Sequence, residues 1–143
     1  MLTMIDNTFQ EIRAQGKKLT KTRRAVIKML CRSHRLLTAP EIQEKLNQQG
    51  ISVNKTSVYR ELEFLTSQKV IQQVSISPGV THYESALRSH HHHLVCTGCG
   101  DATDIDTKEL EKHVQNIQTK AQQQGFRVRD HSLEFYGLCA NCK

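Results

Sequence analysis

The stretch His90-His91-His92-His93-Leu94-Val95-Cys96-Thr97-Gly98-Cys99 constrains this chain more than any other part of it. It places four imidazoles and two thiols in ten consecutive residues, a density that no ordinary core requires. An extended strand alternates its side chains between two faces. Read as a strand, the segment turns His90 and His92 one way and His91 and His93 the other. One strand can then feed two metal sites, one on each face, while its Cys pair feeds a third. A second Cys-x-x-Cys, Cys139 and Cys142, follows after 39 intervening residues. Two such pairs in a chain with no disulfide context are the signature of a closed four-thiolate zinc site, with Gly100 letting the backbone curl round the ion. A redox switch at the same thiols is the rival reading.

The chain has 143 residues, 37% hydrophobic and 24% charged, which suits one domain or two small lobes that gain stability from metal or from a second subunit. No apolar run approaches a membrane span and no signal-peptide pattern is present, so the expected compartment is the cytoplasm, where thiols stay reduced. The net charge of +6 is unevenly spread. Residues 1–82 hold 13 Lys/Arg against 6 Asp/Glu, and residues 83–143 hold 7 against 8. All the excess positive charge lies in the half without the Cys pairs, which points to a polyanion-binding lobe joined to a lobe with another task.

The basic half reads as a series of short helices. Met4 to Gln15 carries Ile5, Phe9 and Ile12 on one face, and Gly16 ends it. Thr20 caps a second helix with Val26, Ile27, Leu30 and Cys31 inward, and Cys31 is read as a buried structural thiol. After a turn at Ser33-His34-Arg35, Thr38-Ala39-Pro40-Glu41 opens a third helix with a capping box, and Ile42 and Leu46 face inward. Asn54 caps a fourth, in which Val58, Leu62 and Leu65 form the apolar stripe. Lys55, Ser57, Tyr59 and Arg60 lie toward its N-terminal end, off that stripe, as in a helix-turn-helix. Arg60 suits a guanine edge or a phosphate, and Tyr59 a thymine methyl or the backbone. Strands at 70–76 and 80–84, joined by a turn at Ser77-Pro78-Gly79, make a wing. Residues 85–89 read as a hinge.

In the second half a strand is expected at 102–106. A helix follows at 108–124 with Leu110, Val114, Ile117 and Ala121 inward, then a third strand over 126–136 with Phe126, Val128, Leu133 and Phe135. His113 reads as a solvated side chain. Asp106 and Glu109 read as charges complementing the helix N-terminus.

An ordered set of motifs resembles the ferric uptake regulator family of metal-responsive repressors, over nearly the whole chain. These are Gly16-Lys17-Lys18-Leu19-Thr20 followed by Arg23, Thr56-Ser57-Val58-Tyr59-Arg60, His82-Tyr83-Glu84, the His run with Cys96 and Cys99, and His131-Ser132-Leu133-x-x-Tyr136-Gly137-x-Cys139. The resemblance implies an α+β protein: a winged-helix DNA-binding domain over 1–84, a hinge over 85–89, and a small α/β dimerisation and metal-binding domain over 90–143. It implies a homodimer acting on double-stranded operator DNA, with no membrane partner and no small-molecule substrate.

Carried over by position, the resemblance implies three metal sites. Cys96, Cys99, Cys139 and Cys142 match the structural zinc ligands. His90, His92, Glu111 and His131 match a site inside the dimerisation domain. Glu84, His91 and His93 match the sensor site at the hinge, with Asp104 at a further metal-binding position. Lys18, Tyr59 and Arg60 match DNA-contacting residues, and Arg23, Lys55 and Ser57 stand beside them. The chain departs from the family at Leu36, where iron- and peroxide-sensing members place a ligating His. With His34 two residues away, His82 or a residue of the 70–76 strand is the candidate replacement. The expectation is a metal-dependent repressor of metal-homeostasis genes sensing zinc, with structural zinc and a regulatory Zn(II), Fe(II) or Mn(II). Two alternatives stay open: an iron-sensing repressor of the same family, and a thiol- or peroxide-responsive regulator acting through zinc release. An enzyme is not expected, because no general base is placed for attack and each site has enough ligands to fill it.

Overall fold

The structure, a computed structural model, describes residues 2–77 and 79–143. The chain divides into two compact units, Met1–Ser89 and His90–Lys143.

The first unit is a winged helix preceded by one extra helix. Its elements are α1 (Leu2–Ala14), α2 (Lys21–Arg32), β1 (Leu37–Thr38), α3 (Ala39–Gln48), α4 (Lys55–Ser67), β2 (Ile71–Ser77) and β3 (Val80–Ser85). Local chemistry fixes the helix starts. Thr20 accepts a hydrogen bond from the Arg23 N–H at 3.1 Å, and Asn54 from the Ser57 N–H at 2.8 Å. Thr38 and Glu41 form the reciprocal capping box, with Thr38 N–H donating to Glu41 Oε2 at 2.7 Å. Burial dominates the Glu41 carboxyl and works to raise its pKa. The Thr38 backbone and side-chain hydrogen bonds, with Arg35 and His82 nearby, outweigh it and leave the group below its ordinary value.

The apolar positions expected to face inward do so: Ile5, Ile12, Val26, Ile27, Leu30, Ile42, Leu46, Val58, Leu62 and Leu65 form one buried cluster, with Val70, Ile71 and Tyr83 joining from the sheet. Cys31 is in that cluster, with its Sγ 3.3 Å from Ser85 Oγ. The sheet has the order β1-β3-β2 and is antiparallel throughout, with Leu37 opposite Tyr83 and Gln72 opposite Glu84. The short β1 was not expected from sequence. Of the wing turn, Pro78 lies outside the described residues, while Gly79 adopts φ +79°.

The second unit contains β4 (His92–Cys96), β5 (Ala102–Ile105), α5 (Lys108–Gln123) and β6 (Glu134–Gly137) in a sheet of order β5-β4-β6. β4 runs antiparallel to β5 and parallel to β6. Two expectations fail here. The strand expected over 126–136 is reduced to Glu134–Gly137, because β4 offers partners only from His93 to Cys96, and Phe126 is 66% exposed. α5 buries none of its residues in this chain, and Ile117, expected inward, is 63% exposed. The apolar stripe of α5 is present in the sequence, but the three-stranded sheet of this chain does not bury it.

Candidate metal centres

The first centre is built by strand pairing. Cys96 ends β4, directly opposite Gly137 at the end of β6, so the two cysteine turns leave the sheet side by side. Thr97 N–H donates to Gly137 O at 2.8 Å, and Gly100 N–H donates back to Cys96 O at 2.9 Å, closing the first turn. Gly98 must be glycine for contact reasons: a Cβ there would lie 2.9 Å from Cys142 Cβ and 3.1 Å from its Sγ. The four sulfurs of Cys96, Cys99, Cys139 and Cys142 lie within 4.8 Å of one another, with Cys99 and Cys139 at 3.9 Å. A tetrahedral ion with metal–sulfur bonds near 2.3 Å sets its sulfurs roughly 3.8 Å apart.

The electrostatics agree with that geometry. The backbone N–H groups of Cys99 and Cys139 aim at Cys96 and lower its thiol to about 6. Cys142, donating its S–H toward the sulfurs of Cys139, Cys96 and Cys99, is pushed up to about 12. For Cys99 the Asp101 N–H, with Cys142, pulls down, but the Cys96 and Cys139 sulfurs and burial push harder, and the net shift is upward. Four thiols this close cannot all ionise without a cation among them, and one of them is already poised to. The donor set fits zinc.

The second centre lies wholly within the second unit. His92 opens β4, His90 precedes it by two residues, Glu111 projects from the first turn of α5, and His131 comes from the segment before β6. His92 Nε2 stands 2.7 Å from Glu111 Oε1 and 3.3 Å from His90 Nε2, and His131 Nε2 stands 3.0 Å from His90 Nε2. Hydrogen bonding from His92 leads the causes that hold the Glu111 carboxyl below its ordinary range. Three ring nitrogens and a carboxylate oxygen turned to one point suit a divalent cation, whose bonds to such donors are about 2.0–2.2 Å.

On the other face of the same segment, His91 and His93 pack edge-on with ring centroids 5.0 Å apart, and His91 Nε2 is 3.6 Å from Asp104 Oδ1. Asp104 lies opposite His93 in the β4–β5 ladder. The alternation read from sequence therefore holds, although regular strand begins only at His92. Glu84 and His82 belong to the first unit, two residues apart on β3. Glu84 is buried and accepts from Gln72 Nε2 at 2.7 Å. His82 is also buried, and its Nδ1 has no hydrogen-bond partner among the described residues. Leu36 is packed away from solvent at 3% exposure, while His34 is exposed, with its Nδ1 3.4 Å from Arg88.

The DNA-contact candidates fall into two groups. Lys18, Lys55, Ser57, Tyr59 and Arg60 are exposed, the last four on the first turns of α4, with Lys55 Nζ 5.8 Å from the Tyr59 ring. Arg23 is instead largely enclosed: it pairs with Glu61, lies 3.6 Å over the Phe64 ring, and donates to the Lys18 carbonyl. Sequence reading missed Glu61 because nothing local signals a partner 38 residues away. It also missed the packing of Gly98 against Cys142, for which only the glycine itself was a clue.

A sequence model described as the ferric uptake regulator family matches residues 14–136. The ferric uptake regulation protein of Bacillus subtilis is 30% identical over 146 residues, covering 99% of this chain and 96% of its own. The zinc uptake regulation protein of Mycobacterium tuberculosis is 29% identical over 130 residues, covering 91% and 98%. Among solved structures, the Helicobacter pylori ferric uptake regulator, described as having three functional metal binding sites, superposes with a TM-score of 0.80 at 26% identity, covering 98% of this chain and 91% of its own.

Proposed function

Since this chain belongs to the ferric uptake regulator family of metal-responsive transcription regulators, we propose that it is a zinc-sensing repressor of metal-homeostasis genes that binds a palindromic operator as a homodimer. The observation that carries the reading is the split of the histidine run: His90 and His92 turn to Glu111 and His131, and His91 and His93 turn to the opposite face. We assign the Cys centre to structural zinc, the His90–His92–Glu111–His131 centre to a metal that stiffens the second unit, and His91 and His93 with Glu84 to the regulatory ion. Asp104 orients His91 or joins the ion's shell.

Metal at Glu84, His91 and His93 would tie the second unit to the wing strand of the first. In a dimer this fixes the spacing of the two recognition helices, so that both meet successive major grooves. Metal then binds the DNA-competent arrangement better than the open one, and operator DNA must tighten metal binding by the same factor. The dimer is supported by the second unit's unpartnered apolar surface: Leu94 and Phe135, paired in the β4–β6 ladder, are exposed, as are Tyr136 and Leu138. Arg60 and Tyr59 would read base edges, and Lys18, Lys55 and Ser57 the phosphates. Arg23 holds the Lys18 segment in place.

Zinc is preferred over iron because the family's additional hinge histidine is replaced by buried Leu36, with His34 turned to Arg88. Two imidazoles, one carboxylate and a further nitrogen from His82 make a tetrahedral set, the number zinc accepts most readily. The test is operator binding by chelator-stripped protein titrated against buffered free Zn(II), Fe(II) and Mn(II), with metal counted before and after. Tightening at the lowest free Zn(II) supports the reading. Tightening by Fe(II) alone would reassign the sensed metal, and affinity indifferent to all three would end it.

A further inference from the structure

We propose that the outer face of α2 docks an acidic amphipathic segment of a partner protein, a surface separate from the recognition helix. Lys21, Arg24, Lys28 and Arg32 recur at intervals of three and four residues, which stacks them in one stripe along the helix. All four are exposed, and none makes an ion pair with a carboxylate among the described residues. The arrangement works against the helix itself. Like charges three and four residues apart repel. Cations in the first turn oppose the helix dipole, and that turn holds no acidic residue to offset Lys21 and Arg24. Lys28 has the Phe9 ring 6.0 Å from its Nζ, but the repulsion along the stripe is relieved by negative charge from outside.

The form of that negative charge follows from what lies between the cations. The stripe borders an open groove of about 750 Å³ against the end of α3, where Leu19, Met29 and Ile51 leave the apolar core half exposed. A sugar-phosphate backbone would satisfy the cations but offers Leu19, Met29 and Ile51 only the small C–H edges of its sugars. A helical segment with carboxylates flanking a Leu or Ile stripe satisfies both. Lys21 to Arg32 spans about 16 Å of helix axis, or three turns, enough to hold such a segment in one register. Tyr59 and Arg60 are on α4 and take no part in the groove, so an occupant here adds to operator binding without competing for the recognition residues.

The experiment uses the full-length, zinc-loaded protein and a fluorescein-labelled helical probe peptide with Glu rows flanking a Leu stripe. Two comparisons accompany it: a polyglutamate peptide of equal charge and a non-operator DNA duplex. We expect salt-sensitive binding of the amphipathic peptide, weakened about ten-fold or more by Arg24→Gln with Lys28→Gln. The same charge loss placed in the second unit, Lys120→Gln with Arg127→Gln, should have no such effect. The α2 variant should keep its operator affinity and melt no lower than the parent, because it loses a repulsive pair. Equal binding of polyglutamate overturns the proposal, as does undiminished peptide binding by the α2 variant. Displacement of the peptide by duplex DNA together with a parallel loss of operator affinity overturns it too, and would make the stripe a phosphate track.

Discussion

His92 Nε2 lies 2.7 Å from Glu111 Oε1, joining the buried start of β4 to the first turn of α5. α5 buries none of its own residues; this bond ties its first turn to the strand, and His131 Nε2, 3.4 Å from Glu111 Oε1, ties it to the segment before β6. Glu111→Gln retains the shape and removes the charge. The expected outcome is a protein that binds one fewer metal equivalent per chain while the cysteine-bound zinc is kept, counted by elemental analysis after gel filtration.

Arg23 and Arg60 look equivalent in sequence and should behave oppositely. Arg23 and Glu61 form an ion pair with side chains only 12% and 13% exposed, and removing one partner of such a pair typically costs about 3–5 kcal/mol. Arg23→Ala should therefore lower the melting temperature. Arg60→Ala, at an exposed site, should leave melting unchanged and weaken specific operator binding by about 1–3 kcal/mol if the side chain reads a base. Thermal melts alongside operator titrations separate the two.

The capping box of α3 gives a stability profile with pH. Glu41 has its pKa lowered in the folded chain, since its hydrogen bonds with Thr38 outweigh the burial that dominates its surroundings. A depressed carboxyl pKa contributes stability that is fully present above the unfolded value and is lost as pH falls through the folded one. Thr38→Ala should cost about 1 kcal/mol at neutral pH and less in acid, below the ordinary carboxylate range, where Glu41 is protonated in the parent as well. Urea melts of the two proteins at neutral and acid pH check the convergence.

The first unit was legible because each of its signals is local. Thr20, Thr38 and Asn54 sit where caps belong, and the apolar residues of α2, α3 and α4 repeat at helical intervals over a core that the unit itself completes. The second unit was legible in which side chains cluster and not at its edges. His90 and His92 separate from His91 and His93 by simple alternation, but the length of β6 depends on how much of β4 is free to pair. Ile117 and Phe126 keep their apolar pattern without a cover in the single chain, so periodicity identified the stripe and misjudged its burial. The Arg23–Glu61 pair and the buried state of His82 belong to tertiary contacts that no local pattern announces.

Gly98→Ala tests the cysteine centre without touching a ligand. The added methyl would sit 2.9 Å from Cys142 Cβ and 3.2 Å from Leu138, so the two turns must part. Residues that orient metal ligands typically change affinity by about 10–100-fold when altered, and a comparable loss is expected here. The rate of zinc transfer to a chromogenic chelator reads it directly, and an unchanged rate would show that the turns separate freely.

His82 gives two predictions of opposite sign in one variant. Its imidazole is 5% exposed and its Nδ1 lacks a partner among the described residues. A buried polar group left without a partner costs about 1–3 kcal/mol, so a histidine there weakens the metal-free fold. His82→Leu keeps similar bulk and removes the unpaired nitrogen. In metal-free protein it should raise the melting temperature. If His82 supplies the regulatory ion's fourth donor, the same substitution should abolish the zinc-dependent gain in operator affinity while the cysteine-bound zinc remains. A variant that is stabilised yet still responds to zinc would leave His82 a packing residue and move the search for the fourth donor to Gln72, which already holds Glu84 at 2.7 Å. A variant that is destabilised would mean that a partner for Nδ1 exists in solution. Melting of the metal-free protein and operator titration at buffered free Zn(II) decide among these outcomes with a single construction.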